Sequence, residues 1–116
     1  MRKRILIVED NPFIALDLQD IFEEAGFTVI GPAATVHSAM GLVKKTSIDV
    51  AMLDFNLGHE TSLPLAKALE DLDIPYAFLS GQIDKVVTQA FSRPRTVIAK
   101  PFDTQYLLSH VNRLLH

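Results

Sequence analysis

The stretch ILIVED, residues 5–10, decides the fold, because four strongly apolar residues end at the acidic pair Glu9-Asp10. Two further apolar runs also end in a charged residue: VAML stops at Asp54, and VIA stops at Lys100. Each run is apolar almost throughout, which is typical of a parallel strand that helices cover on both faces. If the three runs are parallel strands of one sheet, three carboxylates and one ammonium group converge on a single edge of it.

The composition limits the kinds of protein to which this chain can belong. The chain has 116 residues and is 48% hydrophobic, enough to bury the core of one domain over residues 1–116. Its net charge of -3 offers no excess of positive charge for a phosphate backbone, so we expect no direct nucleic-acid partner. It contains no cysteine, so its fold cannot depend on disulfides.

No apolar run is long enough to cross a bilayer. The cluster Arg2-Lys3-Arg4 is followed by too few apolar residues for a secretory signal. We therefore expect a soluble cytoplasmic protein with no membrane partner.

Runs rich in Val, Ile and Leu alternate with stretches of helical period along the whole chain. This alternation predicts an α/β fold with a parallel sheet and five strand–helix pairs. Gly31-Pro32 is expected to end the second strand. The predicted strands are Lys3–Val8, Phe27–Ile30, Asp49–Leu53, Pro75–Leu79 and Val97–Ala99.

The helices follow from caps and spacing. Asn11 suits the N-cap and Pro12 the first position of the first helix, which ends at Gly26. The residues predicted to open the second, third and fifth helices are Thr35, Thr61 or Ser62, and Asp103. A short fourth helix is marked by Val86, Val87, Ala90 and Phe91. The residues predicted to face the core follow for the remaining helices. They are Ile14, Leu18, Ile21, Phe22 and Ala25 in the first helix; Val36, Met40 and Val43 in the second; Leu65, Ala66, Leu69 and Leu72 in the third; and Leu107, Val111, Leu114 and Leu115 in the fifth.

Ligands of open α/β sheets bind beyond the carboxyl ends of the strands. The polar side chains predicted to lie there are Glu9, Asp10, Asp54, Ser80 and Lys100. Two carboxylates ~5 Å apart repel by roughly 3 kcal/mol at an effective dielectric of ~20, so the cluster needs cations. Lys100 supplies one, and the remaining hard oxygen ligands predict Mg²⁺.

Four motifs resemble the signature of the receiver domain of two-component response regulators: ILIVED, VAMLDFNLG, FLSGQ and IAKPF. Each motif alone is unspecific, but together they follow the family's order over essentially the whole chain. The resemblance implies a doubly wound, five-stranded, flavodoxin-like (CheY-like) α/β fold. It also implies the strand order 2-1-3-4-5, which the sequence pattern alone does not give. We expect a stand-alone, single-domain receiver.

The resemblance also implies the role of each metal ligand. Asp54 is then the phosphoacceptor, which attacks a phosphohistidine and becomes an aspartyl phosphate. Asp10 and Asp54 would bind Mg²⁺ directly and Glu9 through water. The backbone carbonyl of Asn56 would complete the protein ligands.

Two further residues would bind the phosphoryl group. Lys100 would pair first with the Asp54 carboxylate and then with the phosphoryl group, and the Ser80 hydroxyl would donate a hydrogen bond to it. The family's Lys-Pro peptide bond is typically cis, which would aim the Lys100 side chain into the site.

Two positions depart from the family pattern. Val97 stands where receivers often carry a switching aromatic residue, so we expect no aromatic switch. A signal would then leave through the loop after Asp54, through Ser80-Gly81 and the fourth helix, or through strand five. The loop 56–61 also lacks the family's usual proline and contains Gly58, so we expect it to be mobile.

The implied partners are a sensor histidine kinase or a phosphotransfer protein, and a downstream protein on the face of helix four, strand five and helix five. The chain would be a signalling domain rather than an ordinary enzyme. A phosphate sink, a phosphorelay intermediate and a non-phosphorylated pseudo-receiver stay open as alternatives. A haloacid dehalogenase-type phosphatase needs an Asp-x-Asp after strand one, and a nucleotide or flavin site needs a Gly- or Ser/Thr-rich loop there. Neither pattern is present in Glu9-Asp10-Asn11-Pro12.

Overall fold

The computed structural model describes residues 2–81 and 96–116, and these residues contain the five predicted strands and four of the five predicted helices. The last helix, α4, is the fifth helix of the sequence pattern, and the predicted fourth helix lies outside the described residues. The elements are β1 (Arg4–Val8), α1 (Pro12–Glu24), β2 (Thr28–Ala33), α2 (Val36–Lys45), β3 (Val50–Asp54), β4 (Asn56–Leu57), β5 (Glu60–Thr61), α3 (Leu63–Asp71), β6 (Tyr76–Ser80), β7 (Thr96–Ala99) and α4 (Thr104–Leu115).

Five strands form one parallel sheet in the order β2-β1-β3-β6-β7. This confirms the doubly wound α/β fold and the strand order 2-1-3-4-5. The register pairs Val8 with Leu53, Asp54 with Leu79, and Ser80 with Ala99. The carboxyl ends of four strands therefore meet at one edge of the sheet.

Helices cover both faces of the sheet, and β1 shows why its sequence is apolar throughout. Ile5 and Ile7 belong to the core that α1 and α4 cover, whereas Leu6 and Val8 belong to the core on the side of α2 and α3. All four side chains are at most 1% exposed. Because successive side chains of a strand point to opposite faces, a strand with two covered faces has no position for a polar residue.

The predicted caps of three helices are confirmed. The side chain of Asn11 accepts from the backbone N–H of Phe13 at 2.9 Å, Thr35 from Ser38 at 3.0 Å, and Asp103 from Tyr106 at 3.0 Å. Ser62 occupies the N-cap of α3, but its hydroxyl donates to the Phe55 carbonyl at 3.5 Å instead of capping the helix.

The prediction that Gly31-Pro32 ends the second strand is wrong, because β2 continues through both residues to Ala33. β2 is an edge strand, where a proline needs no donor on its open side. The register with β1 shifts between Leu6 and Val8, and Gly31 takes a φ of +96° at this point.

Two predicted core positions are also wrong. Ala25 and Leu72 follow the last residues of α1 and α3 as C-caps, and both are exposed. At a helix end the backbone leaves the 3.6-residue period, so extrapolating the period there places the side chain on the wrong side. The small Ala39 of α2, absent from the predicted face, is completely buried.

Candidate functional site

The ends of β1 and β3 bring three predicted carboxylates together. Glu9, Asp10 and Asp54 each offer one oxygen, and these oxygens lie within 4.8 Å of one another. Glu9 is 2% and Asp54 6% exposed, whereas Asp10 is exposed to solvent. The site is therefore a cluster with two buried carboxylates at its base and one at its mouth.

Lys100 joins two of these carboxylates. Its Nζ donates to Glu9 Oε1 and to Asp54 Oδ1, each at 2.9 Å. The Lys100 N–H donates to the Ser80 carbonyl at 2.8 Å, and the Lys100-Pro101 peptide bond is cis, as the family resemblance implied. The ammonium group is thus held at the carboxyl end of the sheet from both its side chain and its backbone.

Glu9 has more contacts than the sequence predicted. While its Oε1 accepts from Lys100, its Oε2 accepts from the Asn11 N–H at 3.1 Å. Its own N–H donates to the Ala33 carbonyl at 2.9 Å. In this structure Glu9 therefore links Lys100 to the start of α1 and to the end of β2, a link that no sequence pattern indicates.

Burial and the neighbouring charges shift the pKa values of two groups in the cluster. Burial raises the pKa of Asp54 to about 7, and the neighbouring Glu9 adds to this rise while Lys100 opposes it. Burial alone would lower the pKa of Lys100, but its hydrogen bonds to Glu9 and Asp54 outweigh burial and raise the pKa above its ordinary value. Lys100 is therefore firmly charged, but one ammonium does not neutralise the site.

The donor set fits a hard divalent cation. Carboxylate oxygens at this spacing suit Mg²⁺ or Ca²⁺, and the three carboxylates of the cluster outnumber the single ammonium group of Lys100. Among the described residues, this cluster could bind a metal ion.

The remaining predicted site residues lie at the same edge of the sheet. Ser80 is the last residue of β6 and is 2% exposed. Asn56 follows β3 as the first residue of β4 and is exposed. His59, in the turn between β4 and β5, is exposed.

The loop that was expected to be mobile forms a short β-hairpin. β4 and β5 pair in antiparallel fashion around Gly58-His59, and Gly58 has a φ of +63°. Leu57 is only 3% exposed. The pattern missed this hairpin because each strand has two residues, too few for an alternation to show. Mobility of the loop stays a prediction.

None of the helices within the described part of the chain is long and apolar enough to cross a membrane.

A family model described as response regulator receiver domain matches residues 5–112. Two curated relatives are similar over nearly the whole chain. The phyllosphere-induced regulator PhyR of Methylorubrum extorquens is 29% identical, and the match covers 99% of this chain and 44% of PhyR. The chemotaxis protein CheY of Bacillus subtilis is 26% identical, and the match covers 100% of both chains. The chain thus spans less than half of PhyR and all of CheY.

Among solved structures, that of SdrG from Sphingomonas melonis Fr1 is 38% identical, with a TM-score of 0.81 and coverage of 99% of this chain and 98% of SdrG. These similarities run through both the sequence and the fold.

Proposed function

The chain belongs to the response regulator receiver domain family, and from this premise we propose that Asp54 accepts a phosphoryl group with Mg²⁺ as cofactor. The donor would be a phosphohistidine of a sensor histidine kinase or of a phosphotransfer protein. The observation that carries the proposal is the Lys100 ammonium, 2.9 Å from both Glu9 and Asp54, beside the exposed carboxylate of Asp10.

In the transfer, an Asp54 carboxylate oxygen forms a bond to phosphorus while the phosphorus–nitrogen bond of the phosphohistidine breaks. The imidazole leaves with the bonding electron pair and takes up a proton from solvent. Nothing is oxidised or reduced. The product is an acyl phosphate on the chain and a neutral histidine on the donor.

Electrostatics is the main obstacle to this step, because a carboxylate must approach phosphoryl oxygens that are already negative. Mg²⁺, when bound, would supply the charge that offsets this repulsion. Asp10 and Asp54 would hold it directly, Glu9 through water, and Asn56 through its backbone carbonyl. These ligands would orient the Asp54 carboxylate for its attack on phosphorus.

Lys100 would act before and after the transfer. In the present structure Lys100 donates one hydrogen bond to Asp54 and one to Glu9, and so holds the two carboxylates together. Once Asp54 carries a phosphoryl group, Lys100 can keep its bond to Glu9 and give its second bond to a phosphoryl oxygen. Ser80, at the end of the neighbouring strand β6, would donate its hydroxyl to another.

The biological role that follows is phosphorylation-dependent contact with a downstream protein, with residues 1–116 acting as one receiver domain. The proposed contact face consists of β7, α4 and the segment predicted as the fourth helix. A phosphate sink, a relay intermediate or a pseudo-receiver that binds partners without phosphorylation would keep the same fold. Phosphorylation itself separates the last of these from the others.

The test is incubation with acetyl phosphate or phosphoramidate and Mg²⁺, followed by intact mass spectrometry. We expect one added phosphoryl group that base and hydroxylamine remove, and no addition in Asp54→Asn or after chelation of the metal. Asp71→Asn, an exposed carboxylate at the end of α3, serves as the control and should be modified normally. Persistence of the adduct in Asp54→Asn would place the acceptor elsewhere. A folded wild type that accepts no phosphoryl group would favour the pseudo-receiver.

A further inference from the structure

The β4–β5 hairpin begins directly after the strand that carries Asp54, so its geometry decides where the backbone of Asn56 lies. Its strands pair over residues 56–61. At its base, the Ser62 N–H donates to the Phe55 carbonyl at 2.9 Å. The hairpin is therefore a closed unit, and whatever holds it from outside also holds Asn56.

Two features connect the hairpin to α2. Leu57 is buried in the same core cluster as Ala39, and Val36 packs against that cluster. Glu60 Oε2 accepts a hydrogen bond from the Val36 N–H at 3.2 Å. Val36 is the first residue of α2, so its amide has no partner within the helix, and a carboxylate at this end also interacts favourably with the helix dipole. The bond stabilises the hairpin and the start of α2 together.

The start of α2 is connected to the carboxylate cluster from the opposite direction as well. The Glu9 N–H donates to the carbonyl of Ala33 at 2.9 Å, just before α2 begins. The segment 33–36 therefore lies between the backbone of one buried carboxylate residue and the side chain of Glu60.

We propose that Glu60 is a positioning residue for the metal site. By tying the β4–β5 hairpin to the first turn of α2, Glu60 keeps the Asn56 carbonyl where a metal ligand is needed. This inference rests on the proposed function, because it takes Asn56 as a ligand of Mg²⁺.

Thermodynamic linkage makes this coupling reciprocal, so binding of Mg²⁺ strengthens the contact between Glu60 and Val36 by the same factor by which the contact improves binding. The first turn of α2 then responds to occupancy of the site. This coupling between the metal site and α2 begins in the loop after Asp54. It does not require an aromatic residue at position 97, which Val97 occupies in this chain.

The test compares Glu60→Gln with Glu60→Ala by isothermal titration with MgCl₂. Both variants lose the negative charge, but only glutamine keeps an oxygen that can accept from Val36. We expect Mg²⁺ to bind about fivefold more weakly to the alanine variant than to the glutamine variant. Glu24→Ala, an exposed carboxylate on α1, is the control for charge and should bind like wild type. Equal affinities of the two Glu60 variants would overturn the proposal.

A second readout excludes a purely structural tether. Addition of Mg²⁺ should slow amide hydrogen exchange in the first turn of α2 in wild type and in Glu60→Gln, but not in Glu60→Ala. The same slowing in the alanine variant would contradict coupling through Glu60. Thr35→Val weakens the first turn of α2 by removing the side-chain oxygen that accepts from the Ser38 N–H. This variant should therefore also bind Mg²⁺ more weakly. An unchanged Mg²⁺ affinity would contradict coupling between this turn and the metal site.

The proposed function fails in a different way. If wild type does not bind Mg²⁺, or if Asp10→Ala does not weaken binding, the metal site is misplaced and both proposals fall. If Mg²⁺ binds and requires Asp10, but the two Glu60 variants agree, only the role of Glu60 is refuted.

Discussion

Replacing Asp54 by asparagine should make the metal-free protein more stable, although Asp54 is the centre of the proposed site. Burial raises the pKa of this carboxyl group from 3.8 to about 7, with a further contribution from Glu9. The charged form is therefore less favourable in the folded protein than in the unfolded chain. Asparagine keeps the shape and an acceptor for Lys100 but removes the charge.

The magnitude follows from the pKa. A rise from 3.8 to about 7 corresponds to about 4 kcal/mol, at about 1.4 kcal/mol for each pKa unit. The Asp54 side chain is 9% exposed, so water and small rearrangements relieve part of this cost. We expect Asp54→Asn to raise the free energy of unfolding by about 2 kcal/mol at about pH 8.

The dependence on pH has a defined sign. Because the pKa of Asp54 is higher in the folded state, its stabilising contribution is complete below the unfolded value of 3.8 and is lost as the pH rises through about 7. Wild type therefore recovers stability on acidification, whereas Asp54→Asn lacks this response. The difference between the two should fall to roughly half at about pH 5.5.

Urea unfolding followed by circular dichroism is the suitable assay, because the chain contains no tryptophan. Samples contain a chelator, and Asp71→Asn serves as the control, with an expected change within about 0.5 kcal/mol. Mg²⁺ at about ten times its dissociation constant should stabilise wild type by about 1.4 kcal/mol and narrow the gap. An Asp54→Asn variant that is less stable than wild type at high pH, or a stability difference that does not depend on pH, would show that burial of the Asp54 charge does not destabilise the folded protein.

Four further substitutions test other parts of the structure. Asp10→Ala should lower Mg²⁺ affinity by more than about tenfold, since even the loss of a group that only hydrogen-bonds to a metal ligand weakens binding by about 10–100-fold. Titration calorimetry checks this, with Asp20→Ala, an exposed carboxylate on α1, as control. Lys100→Met should destabilise the metal-free protein by about 2–3 kcal/mol in urea unfolding, because Glu9 and Asp54 lose their shared cation, and Mg²⁺ should restore part of the loss. An unchanged stability would mean that the two salt bridges contribute little. Gly31→Ala should lower the free energy of unfolding by more than about 1 kcal/mol, since a Cβ would lie 2.8 Å from Ala33 N at a φ of +96°. Gly41→Ala, in the middle of α2 where a Cβ meets no other atom within 4 Å, should raise the free energy of unfolding by about 0.5–1 kcal/mol. Equal effects of the two glycine substitutions would contradict the conformation assigned to Gly31.

The sheet could be predicted from the sequence because its strands are buried on both faces. The apolar run Ile5–Val8 has no polar position, and its abrupt end at Glu9 marks the edge where ligands bind. The strand order, by contrast, depends on which strands pair across the sheet, and no local pattern records that. It came from the resemblance to receivers and is confirmed by the pairing of β1 with both β2 and β3.

The residues of the site could be named in advance, but not their contacts. Carboxylates after β1 and β3 had to converge once the strands were parallel, and Glu9, Asp10 and Asp54 do so. The double contact of Glu9 with Lys100 and Asn11, and the bond from Val36 to Glu60, depend on side-chain directions that periodicity does not encode. The continuation of β2 through Pro32 was missed for a similar reason, since only its place at the sheet edge makes the proline acceptable.

The most direct test of Asp54 as the phosphoacceptor is to locate the phosphoryl group on the chain. An acyl phosphate on aspartate is reduced by borohydride to homoserine, so protein treated with acetyl phosphate and Mg²⁺ can be trapped, digested and sequenced by mass spectrometry. We expect homoserine at Asp54 and unmodified residues at Glu9 and Asp10. Trapping at any other residue, or a phosphoryl group that resists borohydride, would contradict this assignment.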